Sequence, residues 1–283
     1  ATGGNPFGSL IESGGKLYGM TSGGGALGNG VLFEYDPAGA GSYNVLHDFD
    51  PATGSNSLGS LIELDGKFYG TTSYGGSGLV GVLFEFDPSN DMYTVLHEFQ
   101  YGNGSFPYAT PIESGGKIYG VTYGGGVSDV GVIYEFDLSN NTYTVLHNFD
   151  GVNGSSSSGS LLESGGKFYG MALQFLGPGV VYEFDPAGSG TYTVLHNFDF
   201  DSGVEPLGNL IESGGKFYGM TVGGGANGNG VLFEYDPSGG GTHTVLYSFE
   251  FDSGALPRGS LMESDGKFYG MTSEGGAAEM GVL

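Results

Sequence analysis

The stretch Gly8-Ser-Leu-Ile-Glu-Ser-Gly-Gly-Lys-Leu-Tyr-Gly-Met-Thr21 opens a unit of about fifty residues that recurs along the whole chain. After a glycine-rich stretch the unit continues with Val31-Leu-Phe-Glu-Tyr-Asp-Pro37 and then Tyr43-Asn-Val-Leu-His-Asp-Phe49. Its Lys-x-Tyr tripeptide returns at spacings of 49 to 51 residues, beginning at Lys16, Lys67, Lys117, Lys167, Lys216 and Lys267. The period therefore organises every other feature of the sequence.

Each unit holds four short apolar runs separated by Gly, Asp-Pro and Ser/Asn turn signals, and none has helical spacing or length. We call the corresponding strands A, B, C and D; in the first unit they are expected at residues 9–12, 16–21, 31–36 and 43–49. Strand C is apolar on both faces, as a sheet packed between two neighbours requires. The sequence predicts an all-β protein, a β-propeller of four-stranded antiparallel blades. A β-solenoid is the main alternative, although its coils are usually shorter.

Strands A and B occur six times and strands C and D five times, because the chain stops at Gly281-Val282-Leu283, the expected start of a sixth strand C. We predict a single propeller domain over residues 1–283 that belongs to a longer protein with six or more blades. Alternatively, another segment or a partner completes the sixth blade, which would allow self-association there. The predicted blades are residues 1–50, 51–100, 101–150, 151–199 and 200–250, with a partial blade at 251–283.

Composition narrows the functional classes. The chain carries 31 acidic and 7 basic residues, a formal charge of −24, so it repels nucleic acid and anionic membrane surfaces. Its apolar runs are far too short for membrane insertion. Cysteine is absent, which excludes disulfides, thiolate metal sites and a cysteine nucleophile. The 60 glycines largely hold fixed turn positions of the repeat rather than forming a low-complexity sequence.

The repeated pattern Lys-Phe-Tyr-Gly, Gly-Gly, Tyr-Asp-Pro and Tyr-x-Val-Leu resembles the kelch repeat, with Tyr where kelch carries Trp. A closer resemblance is to the GloVer (Gloeobacter–Verrucomicrobia) tandem repeat. Its Asp-Ser-Gly-x-x-Pro-x-Gly-x-Leu, Phe-Tyr-Gly-Met-Thr-x-x-Gly-Gly and Gly-Val-Leu elements stand in residues 201–233 and 252–283. This resemblance implies an exported bacterial cell-surface, extracellular protein, often with a sorting or anchoring segment. It brings no established catalytic residues.

Residues present in every blade are expected to hold the blade together. The lysine of strand B is predicted to form a cross-strand ion pair with the repeated glutamate of strand C. The strand D histidines are some fifty residues apart, which is not metal-ligand spacing, so we interpret them as packed, hydrogen-bonded core side chains. These repeated residues are Glu34, Glu85, Glu135, Glu183 and Glu234, and His47, His97, His147 and His196.

Residues that break the pattern are better candidates for function. In a four-stranded meander the B–C and D–A loops share one side, and nine of the ten aromatic residues outside the repeat positions lie in these loops. Repeat 4 has an apolar B–C loop, 173–178, interpreted as a contact site or a lid. We expect Phe200 and Phe251 to fold back over their own loops. The ligand-binding candidates are Tyr74, Tyr101, Phe106, Tyr108, Tyr123, Gln174, Phe175 and Arg258.

These features favour a non-enzymatic binding, adhesion or display module whose ligand is a neutral glycan or a protein partner. One alternative is a carbohydrate-active hydrolase or lyase that uses paired carboxylates; another is a structural spacer or filament subunit. No catalytic residue and no cofactor is assigned. Calcium is a further hypothesis, because Asp199-x-Asp201-x-Gly203 resembles the start of a calcium loop, although the later bidentate Glu is missing. Its candidate ligands are Asp199, Asp201 and Asp252.

Overall fold

The computed structural model describes residues 2–39, 41–187, 190–238 and 240–283. These residues form five four-stranded antiparallel sheets, in which strands A to D pair in chain order, and a two-stranded sheet made by strands A and B of repeat 6. The all-β propeller fold predicted from the repeat is confirmed. Strands A to D are Ile11–Ser13, Lys16–Met20, Val31–Asp36 and Ser42–Asp48 in repeat 1, and Ile62–Leu64, Lys67–Thr72, Val82–Asp87 and Met92–Glu98 in repeat 2. They are Ile112–Ser114, Lys117–Val121, Val132–Asp137 and Thr142–Asn148 in repeat 3, and Leu162–Ser164, Lys167–Ala172, Val180–Asp185 and Thr191–Asn197 in repeat 4. In repeat 5 they are Ile211–Ser213, Lys216–Thr221, Val231–Asp236 and Thr242–Ser248, and in repeat 6 strands A and B are Met262–Ser264 and Lys267–Tyr269.

Small elements complete the described chain. A two-residue strand at Gly3–Gly4 pairs with Gly23–Gly24, and one 3-10 turn spans Phe251–Ser253. In the part of the chain that the structure describes, no helix is long and apolar enough to cross a membrane. In repeat 6, Thr272 N donates to Val282 O over 2.9 Å, as Thr122 N does to Val132 O in repeat 3, so residue 282 makes the backbone contact of the first residue of strand C although no strand forms there.

Local sequence explains the shape of each sheet. At the A–B hairpin Gly14 and Gly15 have φ of 60° and 82°, the pair of left-handed residues that a two-residue type I′ turn needs. Strand D carries one extra residue opposite strand C, a bulge, in all five complete repeats. A larger residue at Gly120 in strand B would displace the buried ring of Tyr134 in strand C, because a Cβ there would lie 2.5 Å from the phenol oxygen of Tyr134.

The predicted cross-strand ion pair is present in all five complete repeats, with Nζ–Oε1 distances of 2.6 to 2.9 Å. In repeat 2, Lys67 Nζ contacts Oε1 of Glu85, and the phenol of Tyr69 donates to Oε2 over 2.9 Å. The hydrogen bond to Glu85 raises the pKa of the Lys67 ammonium. Sequence reasoning found the ion pair but missed the tyrosine, which gives the second carboxylate oxygen a donor and makes the glutamate a three-residue hub.

The strand D histidines pack between repeats, as predicted, but the predicted hydrogen bonding is wrong for the Nε2 atoms of His47, His97 and His196, which are buried without a partner because each ring lies between stacked side chains. His47 stacks on Tyr93 with ring centroids 3.9 Å apart, and His97 stacks on Tyr143 at 3.7 Å; both pairs are nearly parallel. In repeats 4 and 5 the partner is another histidine, with His196 4.1 Å from His243. Each stack joins strand D of one repeat to strand D of the next, so the histidines are inter-repeat contacts rather than metal ligands.

The chain forms two compact units, Ala1–Asn148 and Phe149–Leu283. Within the first, Ser9 N donates to Ser60 Oγ and Ser60 N donates to Thr110 Oγ1, each over 2.7 Å, which ties successive A strands together. Ring packing of Tyr18 on Phe68, 4.4 Å apart, does the same for successive B strands. The single-domain interpretation of residues 1–283 remains a prediction.

Within the second unit the same links recur. Ser160 N donates to Asn209 Oδ1 over 2.7 Å, and Asn209 N donates to Ser260 Oγ over 3.0 Å. Tyr169 packs on Phe217 with centroids 4.4 Å apart. Each unit thus holds a stack of repeats whose core lies between consecutive sheets, and this core holds the loops of each junction in a fixed frame.

Candidate functional site

Five of the eight ligand-binding candidates come together where repeats 2 and 3 meet. Tyr74 packs against Phe106 with ring centroids 5.4 Å apart, Tyr101 against Phe106 at 6.0 Å, and Tyr108 against Tyr123 at 5.1 Å. Phe106 and Tyr108, 6.3 Å apart, join the two halves. We call these five residues the aromatic cluster. The sequence placed them on loops of one side, and the structure brings them into one contiguous patch of the first unit.

Three separate loops supply the cluster. Tyr74 follows strand B of repeat 2, Tyr123 follows strand B of repeat 3, and the other three residues lie on the D–A loop between these repeats. Phe106 N donates to Val80 O over 2.8 Å, and Phe106 O accepts from Tyr123 N over 3.1 Å. Since these backbone bonds anchor the D–A loop to both neighbours, the rings are held in place by the repeat framework.

The backbone of Phe106 is unusual. Its φ of 57° lies in the left-handed region, which a bulky residue rarely adopts. The same position is left-handed in all six repeats, where it is occupied by Asn5, Asn56, Phe106, Ser156, Glu205 and Leu256. Asparagine tolerates this conformation well, whereas phenylalanine adopts it at a cost in backbone energy. The left-handed backbone is therefore a property of the repeat, whereas the aromatic side chain at this position is specific to Phe106.

The cluster presents uncharged rings to solvent. Tyr101 is 57% exposed and Tyr74 is 42% exposed, while Phe106, Tyr108 and Tyr123 are half-buried. Burial and a hydrogen bond with Tyr74 raise the pKa of Tyr108 to about 12, so its phenol stays neutral at physiological pH. The surface therefore offers flat apolar faces edged by phenol hydroxyl groups.

A polar network lies in the same loops. The hydroxyl of Ser77 donates to Glu98, and Gln100 Nε2 donates to Ser77 Oγ over 3.1 Å. Hydrogen bonds from Ser77 lower the pKa of the Glu98 carboxyl. Gln100 N also donates to Asn103 Oδ1 over 2.9 Å, which shapes the turn that carries Tyr101. Hydroxyl, amide and carboxylate groups thus occur close in sequence to Tyr74 and Tyr101, on or next to the loops that carry these rings.

The other three candidates belong to the second unit. The side-chain amide of Gln174 donates to Val152 O over 2.6 Å and to Asn197 Oδ1 over 3.3 Å, and its oxygen accepts from Gly179 N. Gln174 therefore holds its own loop in place, a role that the sequence did not reveal. Phe175 is 68% exposed, and Arg258 is exposed as well. A pocket of about 350 Å³ lies next to Gln174 and Phe175 and is lined by Gly151, Val152, Gln174, Phe175, Leu176 and Gly177.

One expectation about the aromatic residues is wrong. Phe200 and Phe251 do not fold away over their own loops: they are 62% and 42% exposed. Their main-chain carbonyls accept hydrogen bonds from Gly225 N and Gly276 N, and their rings remain exposed to solvent.

The calcium hypothesis receives no support. Oδ1 of Asp199 accepts from the backbone N and the hydroxyl of Ser202, over 2.8 and 2.7 Å, so this carboxylate closes a tight turn. Nowhere in the described ranges do three or more His, Cys, Asp or Glu side chains group closely enough to hold a metal ion. We therefore do not assign Asp199, Asp201 and Asp252 as calcium ligands.

Comparison with sequence families decides the family. A model described as the Gloeobacter/Verrucomicrobia repeat matches residues 1–124 and 175–283. The chain belongs to this repeat family. The resemblance inferred from the sequence is therefore confirmed. In this Gloeobacter/Verrucomicrobia repeat protein the unmatched residues, 125–174, include the first half of repeat 4, the repeat whose B–C loop departs most from the pattern. A search of curated proteins found no match.

Solved structures support the fold of this Gloeobacter/Verrucomicrobia repeat protein. It is similar to the extracellular domain of BT4673 from B. thetaiotaomicron, with a TM-score of 0.60, 12% identity and coverage of 92% of this chain and 30% of that one. It is also similar to a chain of the nidogen/laminin complex, with a TM-score of 0.55, 13% identity and coverage of 87% and 80%. A prolyl endopeptidase matches at 0.51 and 15% identity, over 90% of this chain and 37% of that chain. At these identities the likeness concerns the propeller fold alone.

Proposed function

We propose that this repeat protein is a non-enzymatic binding module and that the aromatic cluster is its ligand site. The observation that carries the proposal is the concentration of five off-pattern aromatic residues at one junction, on a framework whose other positions repeat. A residue needed only for folding would recur in most repeats, as the Lys–Glu pair does in the five complete repeats and the strand D histidine does in repeats 1 to 4. The cluster residues do not recur as a set.

The chemistry of the cluster favours a neutral glycan. Pyranose rings present C–H faces that pack on flat aromatic surfaces, and their hydroxyl groups pair with phenol, amide and carboxylate groups. Phenol groups belong to the cluster, and amide and carboxylate groups lie close to it in sequence, at Gln100 and Glu98. The net charge of −24 disfavours anionic ligands such as uronate or sulfated chains. Export and display at a bacterial surface, implied by the family resemblance, complete the proposal.

The proposal is tested by binding to an array of neutral oligosaccharides. Tyr101→Ala removes the most exposed ring of the cluster, and we expect it to weaken binding about tenfold, the loss of one stacking contact. Phe200→Ala is a matched control because it removes a ring of similar exposure from the corresponding loop position of repeat 5. Equal affinities of both variants and the unmodified protein would exclude the aromatic cluster as the site.

A further inference from the structure

Backbone hydrogen bonds repeat from junction to junction even where the side chains differ. Phe106 N donates to Val80 O over 2.8 Å, and Leu256 N donates to Asn229 O over 3.0 Å at the junction of repeats 5 and 6. Both residues are left-handed, with φ of 57° and 53°. The D–A loop therefore follows the same path at both junctions, and a change of side chain does not change where it is presented.

The position of Tyr101 shows the same constancy. Tyr101 O accepts from Gly126 N over 2.8 Å, Phe200 O from Gly225 N over 2.7 Å, and Phe251 O from Gly276 N over 2.9 Å. All three rings are exposed to solvent. This loop position thus presents an aromatic ring outward in three different repeats.

Repeat 4 shows what happens when the ring is missing from that position. Gly151 stands there, and Phe175 from the adjacent B–C loop lies against it: a Cβ on Gly151 would be 2.5 Å from a ring carbon of Phe175. Phe175 N also donates to Gly151 O over 3.0 Å. In repeat 4 a ring supplied from the B–C loop thus lies against this position of the D–A loop.

The remaining cluster positions have equivalents at the junction of repeats 5 and 6. Tyr123 N donates to Phe106 O, and Ser273 N donates to Leu256 O over 3.2 Å, so Ser273 corresponds to Tyr123. Ser55 N donates to Tyr74 O and Val204 N donates to Gly223 O, each over 2.8 Å, so Gly223 corresponds to Tyr74. Arg258 follows Leu256-Pro257 as Tyr108 follows Phe106-Pro107. The off-pattern Arg258 therefore occupies the Tyr108 position of another junction.

We infer that these five loop positions determine ligand specificity at each junction, and that the aromatic set of the junction of repeats 2 and 3 can be transferred to another junction. This inference rests on the proposed function. The framework bonds keep the positions fixed, and the side chains set the chemistry: five aromatic rings at one junction, and Gly223, Phe251, Leu256, Arg258 and Ser273 at the other. Replacing a phenol with a guanidinium group at one position would change the ligand class that the junction accepts.

The experiment is a graft. The quadruple variant G223Y/L256F/R258Y/S273Y, together with the native Phe251, reproduces the aromatic cluster at the junction of repeats 5 and 6. Arg258 and Ser273 are exposed, and Leu256 already has the required φ. A Cβ on Gly223 would lie 2.8 Å from Val204 Cγ2, the end of a side chain that can move aside. The milder R258Y/S273Y variant covers the case in which the full graft fails to fold.

Binding is measured by calorimetric titration with cellohexaose, xylohexaose, mannohexaose and chitohexaose. For the hexaose that binds best, we expect the stoichiometry to rise from one site to two in the quadruple variant, and to stay at one in G223A/L256A/R258A/S273A. Y74A/Y101A removes two rings of the original cluster and should weaken binding. Adding the quadruple graft to this variant should raise its affinity at least tenfold, and adding R258Y/S273Y should raise it less.

The outcomes separate the two claims. If the unmodified protein binds through Tyr101 but the folded graft and the milder variant both add no site, the transfer inference is overturned while the proposed function stands. If the unmodified protein binds none of the four hexaoses, both the glycan assignment and the inference built on it fail.

Discussion

Glu85→Ala is expected to lower the free energy of unfolding by about 2 kcal/mol, because it leaves the buried Tyr69 phenol without its acceptor and breaks a partly exposed ion pair. The Glu85 side chain is only 18% exposed, and it accepts from both Lys67 and Tyr69. Without it, Tyr69, a buried residue, loses the acceptor of its phenol. Because Lys67 is more exposed, its ammonium regains water and the cost stays at this level.

Chemical denaturation measured by circular dichroism checks this value. Glu163→Ala is the matched control, since Glu163 is an exposed glutamate of strand A, and we expect its effect to stay within about 0.5 kcal/mol. Glu85→Gln keeps the shape and should fall between the two. A loss for Glu85→Ala no larger than that of Glu163→Ala would contradict the role of the Lys–Glu–Tyr hub.

Acidification is expected to destabilise the protein well before the carboxylates titrate, because the strand D histidines are buried in their neutral form. Burial lowers the pKa of His97 to about 4, against an opposing effect of Glu98, and burial is also the main cause that lowers the pKa of His47. The Nε2 atoms of both rings are buried without a hydrogen-bond partner. A proton on either ring would therefore add an unpaired charge between two repeats.

The sign follows from linkage. The unfolded histidine binds a proton near pH 6.5 and the folded one only near pH 4, so the unfolded state holds more protons between these values. The contribution of neutral His97 to the free energy of unfolding is complete above pH 6.5 and is lost as the pH falls toward 4. A change of this size in one pKa corresponds to about 3 kcal/mol at the acid end. Carboxylates with lowered pKa, such as Glu98, add their own loss at still lower pH.

His97→Tyr tests this assignment without removing the stack. Tyrosine already occupies the corresponding strand D position in repeat 5, where Tyr247 pairs with Leu232 as His97 pairs with Leu83. Urea denaturation between pH 7.5 and 4.5 should show a shallower loss of stability in the variant than in the unmodified protein. An unchanged pH dependence would show that His97 does not titrate in this window.

The period of the sequence predicts most of the fold because each strand and turn is locally encoded. Alternating and doubly apolar runs specify strands A to D, and Gly14-Gly15 or Asp65-Gly66 specifies the tight A–B turn. The Lys–Glu pair was predictable from repetition, since two opposite charges recur on adjacent strands, although the register places Glu85 opposite Tyr69 and makes the ion pair with Lys67 a diagonal one. Tyr69 as the third member was not, because its repeat position also fits a purely apolar core residue.

The candidate site was predictable only as a set of loops. Tyr74 and Tyr123 lie far apart in sequence and join one patch because Phe106 is bonded to the loops of both neighbouring repeats. Such tertiary bonds leave no local signal. The exposure of Phe200 and Phe251 and the hydrogen bonds of the Gln174 amide within its own loop are likewise tertiary features, so sequence reasoning misjudged the former and missed the latter.

The most direct test of the proposed glycan site is a crystal structure of the protein soaked with the neutral hexaose that binds best. A sugar ring should lie on the exposed face of Tyr74 or Tyr101, with its carbons about 4 Å from the ring atoms and its hydroxyl groups paired with neighbouring polar side chains. A hexaose bound elsewhere, with the rings of the aromatic cluster uncovered, would contradict the account.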